Sequence, residues 1–392
     1  KNCEGFLAIA EHVKTKVSQK DLETDKKEVY QNILMSLYAY SPRKIYPIEK
    51  VLLEDALQES DDEKIVKLSN LMLQGALLSA NYTEALPLLH NILSRIPNPT
   101  LLVNGAVNAR FLLLSLINIE ILFNLGDFVQ CVDVAKDLLS VIKPDLIDKI
   151  KPAGFSVNLF VNHLSETFRM AAFAKLFLAE DDMEEYFLAV ETSLGTELQD
   201  ASAIRAIREF LKGENYAPSN VEDASAYSKV IYLILQEFSE HKDDYKTFAQ
   251  NIYQAKLLAA EINQYQLEMF CDLLIGYAYS KAGAKKKAEI IFNDVLENSQ
   301  KSAIFNTTVL AKYFIAQLKV EKSEIDEALQ LVNECLAQLQ KYNNRSKIIY
   351  VLFEKLFIEI VKSQEMENID VDSEEQKLAL ATSGGKLARL IG

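Results

Sequence analysis

The chain has no tryptophan, four cysteines, four histidines, eight prolines and twelve glycines among 392 residues. Each shortage excludes something. Cys3, Cys131, Cys271 and Cys335 are far apart and show no CxxC or framework spacing. A disulfide scaffold is therefore not expected, and a reducing, cytoplasmic compartment is. His12, His90, His163 and His241 stand alone in sequence. His163-x-x-Glu166 would put two ligands on one helical face, but a di-iron bundle needs a second such pair with partner carboxylates, and the sequence has none. HExxH and zinc-ribbon spacings are also missing, so neither a metal nor a cofactor is expected. Positive charge is in deficit, with 42 basic against 56 acidic residues and a net charge of −14. That argues against a general nucleic-acid backbone binder and against an anionic membrane surface. The most apolar run, Phe111 to Leu125, is interrupted by Asn118, Glu120 and Asn124. It reads as a buried helix rather than a membrane span.

Scarce proline and glycine leave long uninterrupted segments. Their apolar residues recur at spacings of three and four, and no convincing alternating strand appears, so the expected fold is all-α. Residues 1–60 read as an N-terminal helical cap. Ser60-x-x-Glu63 has the form of a capping box opening the next helix. Residues 61–212 and 223–363 read as two helical lobes joined by a loop at 213–222, where Gly213 and Pro218 interrupt the pattern. Residues 364–392 form an acidic tail with one short helical segment, read either as a loose end or as a docking segment for a partner or for this chain's own groove. The chain opens on Lys1, without Met or a visible signal peptide, which reads as a fragment or processed piece.

Small residues recur where two helices would touch. In LIGYAYSKAGAKKKAEIIFNDV (274–295), Gly276 and Ala288 are small, Tyr279, Phe292 and Val295 fill the seam, and Gly283 marks the turn. Ala85, with Leu89 and Ile92 behind it and Pro97 closing the unit, repeats the pattern in residues 64–97. Gly126 and Cys131 repeat it in 112–143, where Asp127 is placed to cap Gln130. Ala328, Val332 and Cys335 give a last unit. This arrangement resembles the tetratricopeptide repeat, whose period is about 34 residues. Here the units are longer and irregular, and the tryptophan common in that family is absent. The resemblance implies a right-handed α-solenoid of antiparallel helix pairs, a TPR-like superhelix.

Other motifs have simpler readings than chemistry. Asp370-x-Asp372-x-Glu374 lacks the glycine and closing acid of a calcium loop. Ser383-Gly384-Gly385-Lys386 lacks phosphate-loop spacing. The acid pairs Asp181-Asp182 and Asp243-Asp244 sit where negative charge caps a helix. Lys285-Lys286-Lys287 begins a helix and reads as a solvated face that could meet an acidic partner. No nucleophile–base arrangement is legible.

In tetratricopeptide arrays the first helix of each unit lines a concave groove that holds a peptide or helix. The resemblance therefore implies outward-facing groove residues at Lys67, Asn70, Gln74, Glu120, Asn124, Tyr277, Lys281, Tyr313 and Gln317. The early part lacks the basic residues of a carboxylate clamp, and the later part is more aromatic, which suits an apolar peptide or helix. The expected function is a non-enzymatic interaction scaffold with a protein or peptide partner, as a subunit of a larger complex, without nucleic-acid binding or membrane insertion. A sensor for a short signal peptide is a second reading, and an α-helical enzyme a third.

Overall fold

The computed structural model describes residues 42–78, 81–96, 100–103, 106–143, 145–146, 157–178, 184–194, 201–211, 225–241, 243–262 and 264–341, with isolated helical positions within 8–33 and 349–360. The chain divides into two compact units, residues 1–114 and 115–392. The expected loop at 213–222, the tail and Pro97 lie outside the described residues.

In unit 1, α1 (Pro42–Glu59), α2 (Asp62–Leu78) and α3 (Tyr82–Leu93) follow one another, and each packs on the next. Leu52, Leu53, Ala56, Ile65, Leu68 and Met72 are buried, and Ala85, Leu89 and Ile92 fully so. Two ion pairs tie the ends: Lys50 to Glu84 at 3.8 Å and Arg95 to Asp62 at 3.0 Å. The Ser60 capping box does not form. Ser60 takes a positive φ of 55° and ends α1. Asp61 caps α2 instead, its Oδ1 accepting the Lys64 N–H at 3.1 Å.

A short antiparallel ladder, absent from the sequence expectation, joins β1 (Leu102–Val103) to β2 (Ala106–Val107). The residues between them are Asn104-Gly105, a pair that favours two-residue hairpin turns. The boundary between the two units falls inside α4 (Ala109–Leu125).

Unit 2 continues through α5 (Phe128–Leu139), α6 (Val157–Phe177), α7 (Glu184–Leu194), α8 (Ala201–Leu211), α9 (Ala226–Glu240), α10 (Tyr245–Glu261), α11 (Tyr265–Lys281), α12 (Lys285–Lys301), α13 (Phe305–Glu321) and α14 (Ile325–Lys341). From α8 to α14 each helix packs on the next, and α11 also packs on α13. That is the connectivity of stacked antiparallel pairs in a helical solenoid. The described structure is helical apart from the short ladder and the turns.

The turns share one device. Gly126, Gly283, Ala303 and Ser323 all take positive φ, at 83°, 80°, 53° and 61°. After each, the next amide donates back to the last turn of the preceding helix: Asp127 to Leu122 O, Ala284 to Tyr279 O, Ile304 to Ser299 O and Glu324 to Lys319 O, all at 2.8–2.9 Å. This is the left-handed helix ending that satisfies carbonyls otherwise left without donors. Asp127 then caps α5 as expected, accepting the Gln130 N–H at 3.1 Å.

Ala85, Cys131, Ala288 and Ala328 are fully buried. At Gly276 a Cβ would stand 2.4 Å from the Phe292 ring, so α11 and α12 approach as closely as they do only because the side chain is missing. Burial pushes the thiols of Cys271 and Cys335 up to about 12. As inert neutral groups they serve packing, not chemistry.

One feature departs from a purely nearest-neighbour stack. Three residues touch parts of unit 2 far along the chain: Gly126 meets the ring of Phe305, Glu166 accepts from Gln264, and Arg169 lies over Tyr227.

Candidate functional site

The first helices of the later pairs, α9, α11 and α13, carry aromatic residues that meet ring to ring across unit 2. Phe238 of α9 is edge-on to Phe248 of α10 at 5.1 Å, and Phe248 is edge-on to Tyr277 of α11 at 6.5 Å. Tyr277 meets Phe314 of α13 at 6.1 Å, and Phe314 stacks on Phe292 of α12 at 5.1 Å. Edge-to-face and offset contacts of this kind add to the burial energy of each ring. Phe238, Tyr277 and Phe314 are only half-buried. They form the aromatic stripe that remains partly open.

Tyr277 is the best-placed of the expected groove residues. The ammonium of Lys281, one turn on, lies 5.7 Å from its ring centroid. Burial is the main reason its phenol is held above the ordinary range, with Tyr245 and Asp243 adding to the effect. The hydroxyl therefore stays neutral and can donate a hydrogen bond. Lys281 is exposed. Gln317 is half-buried and its Nε2 donates to the Tyr313 hydroxyl at 2.8 Å.

Two of the expected groove residues do not face outward. Tyr313 is buried in the core of the last pair, edge-on to Phe314 and Phe353. Its helix buries residues on every side: Val309 and Ala316 share its face, while Ala311, Lys312, Ile315 and Leu318 are buried on the others. Such a helix has no polar side from which an outward face can be read. Asn124 is also buried, with Nδ2 donating to Glu120 O at 2.7 Å. Lys67 and Gln74 of unit 1 are exposed, and Asn70 and Glu120 are half-buried. The structure thus brings Tyr277, Lys281, Tyr313 and Gln317 into one neighbourhood, with Phe314 at its centre. Phe314 was not anticipated, although its place beside Tyr313 in sequence was a usable signal.

Several residues weighed for chemistry make structural contacts; Asp181-Asp182, the 370–374 acids and the 383–386 run lie outside the described residues. Glu166 Oε1 accepts from Arg169 and from Gln264, each at 3.2 Å, and burial lowers the pKa of His163. Asp244 caps α10, its carboxylate accepting the Thr247 N–H at 3.2 Å and the Thr247 hydroxyl at 2.7 Å. These bonds hold it below the usual carboxylate range. Lys285 pairs with Glu321 at 2.9 Å and Lys287 lies 5.4 Å from the Tyr279 ring centroid. Among the described residues no group of three His, Cys, Asp or Glu could hold a metal ion. None of the described helices is long and apolar enough to cross a membrane. An open cleft of about 570 Å³ runs along α14, lined by Asp326, Leu329, Gln330, Asn333, Glu334 and Ala337. None of the expected groove residues lines it.

These features define a helical repeat-like protein with a half-buried aromatic stripe on its later first helices. No protein-family model matches the chain, and no curated protein matches its sequence. Among solved structures, the chain is similar to a circular tandem repeat protein with novel repeat topology and enhanced subunit contact surfaces. The two share 13% identity over 99% of this chain and 96% of the other, with a TM-score of 0.21.

Proposed function

We propose that this protein is a non-enzymatic, tetratricopeptide-like interaction scaffold that binds a peptide, a helix or a subunit through the aromatic stripe of unit 2, as part of a larger assembly. The observation that carries the reading is the half-buried set Phe238, Tyr277 and Phe314, one from each of three successive first helices. Rings in this position offer large contact area at low entropic cost and act as interface anchors. An apolar residue of the partner would seat between Tyr277 and Phe314, and the neutral Tyr277 hydroxyl would set its register. The acidic net charge favours a protein partner over nucleic acid.

A photo-crosslinking residue at Tyr277, introduced in the source cells, tests this. A discrete adduct is expected there, and none from the same residue at exposed Ile290. Matching adduct patterns at both positions would overturn the assignment.

A further inference from the structure

Second helices begin at Tyr245, Lys285 and Ile325 and first helices at Tyr265 and Phe305, a spacing of forty residues in each series. The buried residues beyond α14 keep it: Ile349, Phe353 and Leu356 stand forty residues after Val309, Tyr313 and Ala316 in one cluster. The Tyr313 and Phe353 rings meet edge-on at 5.7 Å. Ile360, in the same cluster, therefore lies on the side of the stack where α11 and α13 end.

Charge on that side differs from turn to turn. The α9–α10 turn carries Asp243 and Asp244. At the α13–α14 turn, Lys319 pairs with Glu324 and Glu327, and Lys322 pairs with Glu289. Between these turns, residues 281–287 hold Lys281, Lys285, Lys286 and Lys287 and no acid. Among the described residues Lys285 has a carboxylate partner, Glu321. Lys281 and Lys287 lie against the rings of Tyr277 and Tyr279, and Lys286 is exposed. No side chain caps α12 and its first turn has no acid, so the positive end of its dipole adds to the lysines. Five residues after Ile360 the sequence turns acidic: Glu365, Glu367, Asp370, Asp372, Glu374 and Glu375, with no basic residue among them.

We propose that this chain's own segment 365–375, which lies outside the described residues, docks in cis on the lysine turn between α11 and α12. First helices α11 and α13 pack on each other. At 8–10 Å per helix spacing the turn is about 20 Å from Ile360, and ten residues of extended chain reach about 33 Å. Exposed ion pairs are individually weak. A tether of this length, however, presents the segment at an effective concentration on the order of millimolar. The acids of the α9–α10 turn bound the basic patch on its far side. The contact holds whatever the aromatic stripe binds.

Carbodiimide coupling of the full chain, which joins lysines to carboxylates in contact, tests it on a mixture of isotope-labelled and unlabelled protein at low salt. Links from 365–375 to Lys281, Lys286 or Lys287 are expected within chains of one isotope. They should be at least about fivefold more abundant than links to exposed Lys136 on α5 and should disappear at high salt. As a second measurement, the Lys286 amine should be acylated about three- to fivefold faster in the variant Asp370→Asn, Asp372→Asn, Glu374→Gln, Glu375→Gln. Unchanged Lys286 reactivity would overturn the docking. So would the absence of links, links spread evenly over Lys136 and the turn, or links joining the two isotopes, which would place the segment on a second copy.

Discussion

Gly126 and Gly283 occupy the same place in two helix pairs, with nearly the same φ, 83° and 80°. Each ends a first helix and each is followed by the same backward hydrogen bond. Their surroundings are opposite. A Cβ at Gly126 would collide with Phe305, whereas at Gly283 nothing lies within 4 Å. One glycine answers a local demand of the backbone. The other answers that demand and a tertiary one, set by a residue far along the chain. The local requirement can be read from a turn pattern, and the tertiary one cannot.

Buried charge repeats the contrast. Lys312 is buried, and its Nζ is 2.8 Å from Glu334 on the next helix. Glu49 is 1% exposed, and neither of its carboxylate oxygens has a hydrogen-bond partner. Burial pushes its pKa from 4.5 up to about 7. An ionised carboxylate without partners is costly to bury, so the group stays protonated over much of the range in which the unfolded chain ionises.

The comparison can be broken most directly at Gly126. Gly126→Ala should cost about 3–4 kcal/mol, from the left-handed backbone and from displacing the Phe305 ring. Urea unfolding followed by circular dichroism measures it. A loss no larger than that at Gly283 would remove the tertiary role.

Glu49 gives the next largest effect. Its folded pKa lies above its unfolded one, so stability should fall as pH rises from about 4.5 to about 7 and level off above. The total is roughly 3 kcal/mol. Glu49→Gln should abolish that slope, which chemical denaturation of unit 1 across pH would show.

Gly283→Ala should cost only about 1 kcal/mol, the backbone part alone. Its inverse, Ser323→Gly, should stabilise by about 0.5 kcal/mol, because Ser323 holds the same conformation without glycine's freedom. If both changes are neutral by thermal unfolding, the shared turn geometry is not what ends these helices.

The helical class, the turns at Gly126 and Gly283 and the burial of Ala85, Ala288 and Ala328 were legible, because each follows from local spacing. Asp127 as a cap was legible for the same reason. What failed was orientation on helices without a polar side. Tyr313 and Asn124 lie inward because α4 and α13 are apolar nearly all round, and periodicity then gives no outward face. The β1–β2 ladder was missed because two-residue strands are too short to alternate, although Asn104-Gly105 marked the place. The Gly126–Phe305 contact and the position of Phe314 depend on how distant pairs meet, which no window of sequence contains.

The close approach of α11 and α12 at Gly276 is the point on which the stacked-pair account turns, and a double-mutant cycle tests it. Gly276→Ala should destabilise by about 2 kcal/mol in the wild-type chain, because its Cβ meets Phe292. In a Phe292→Ala background the same change should cost almost nothing, giving a coupling above about 1 kcal/mol. Additive effects would mean that the two helices do not touch there, and the packing described for these pairs would be wrong.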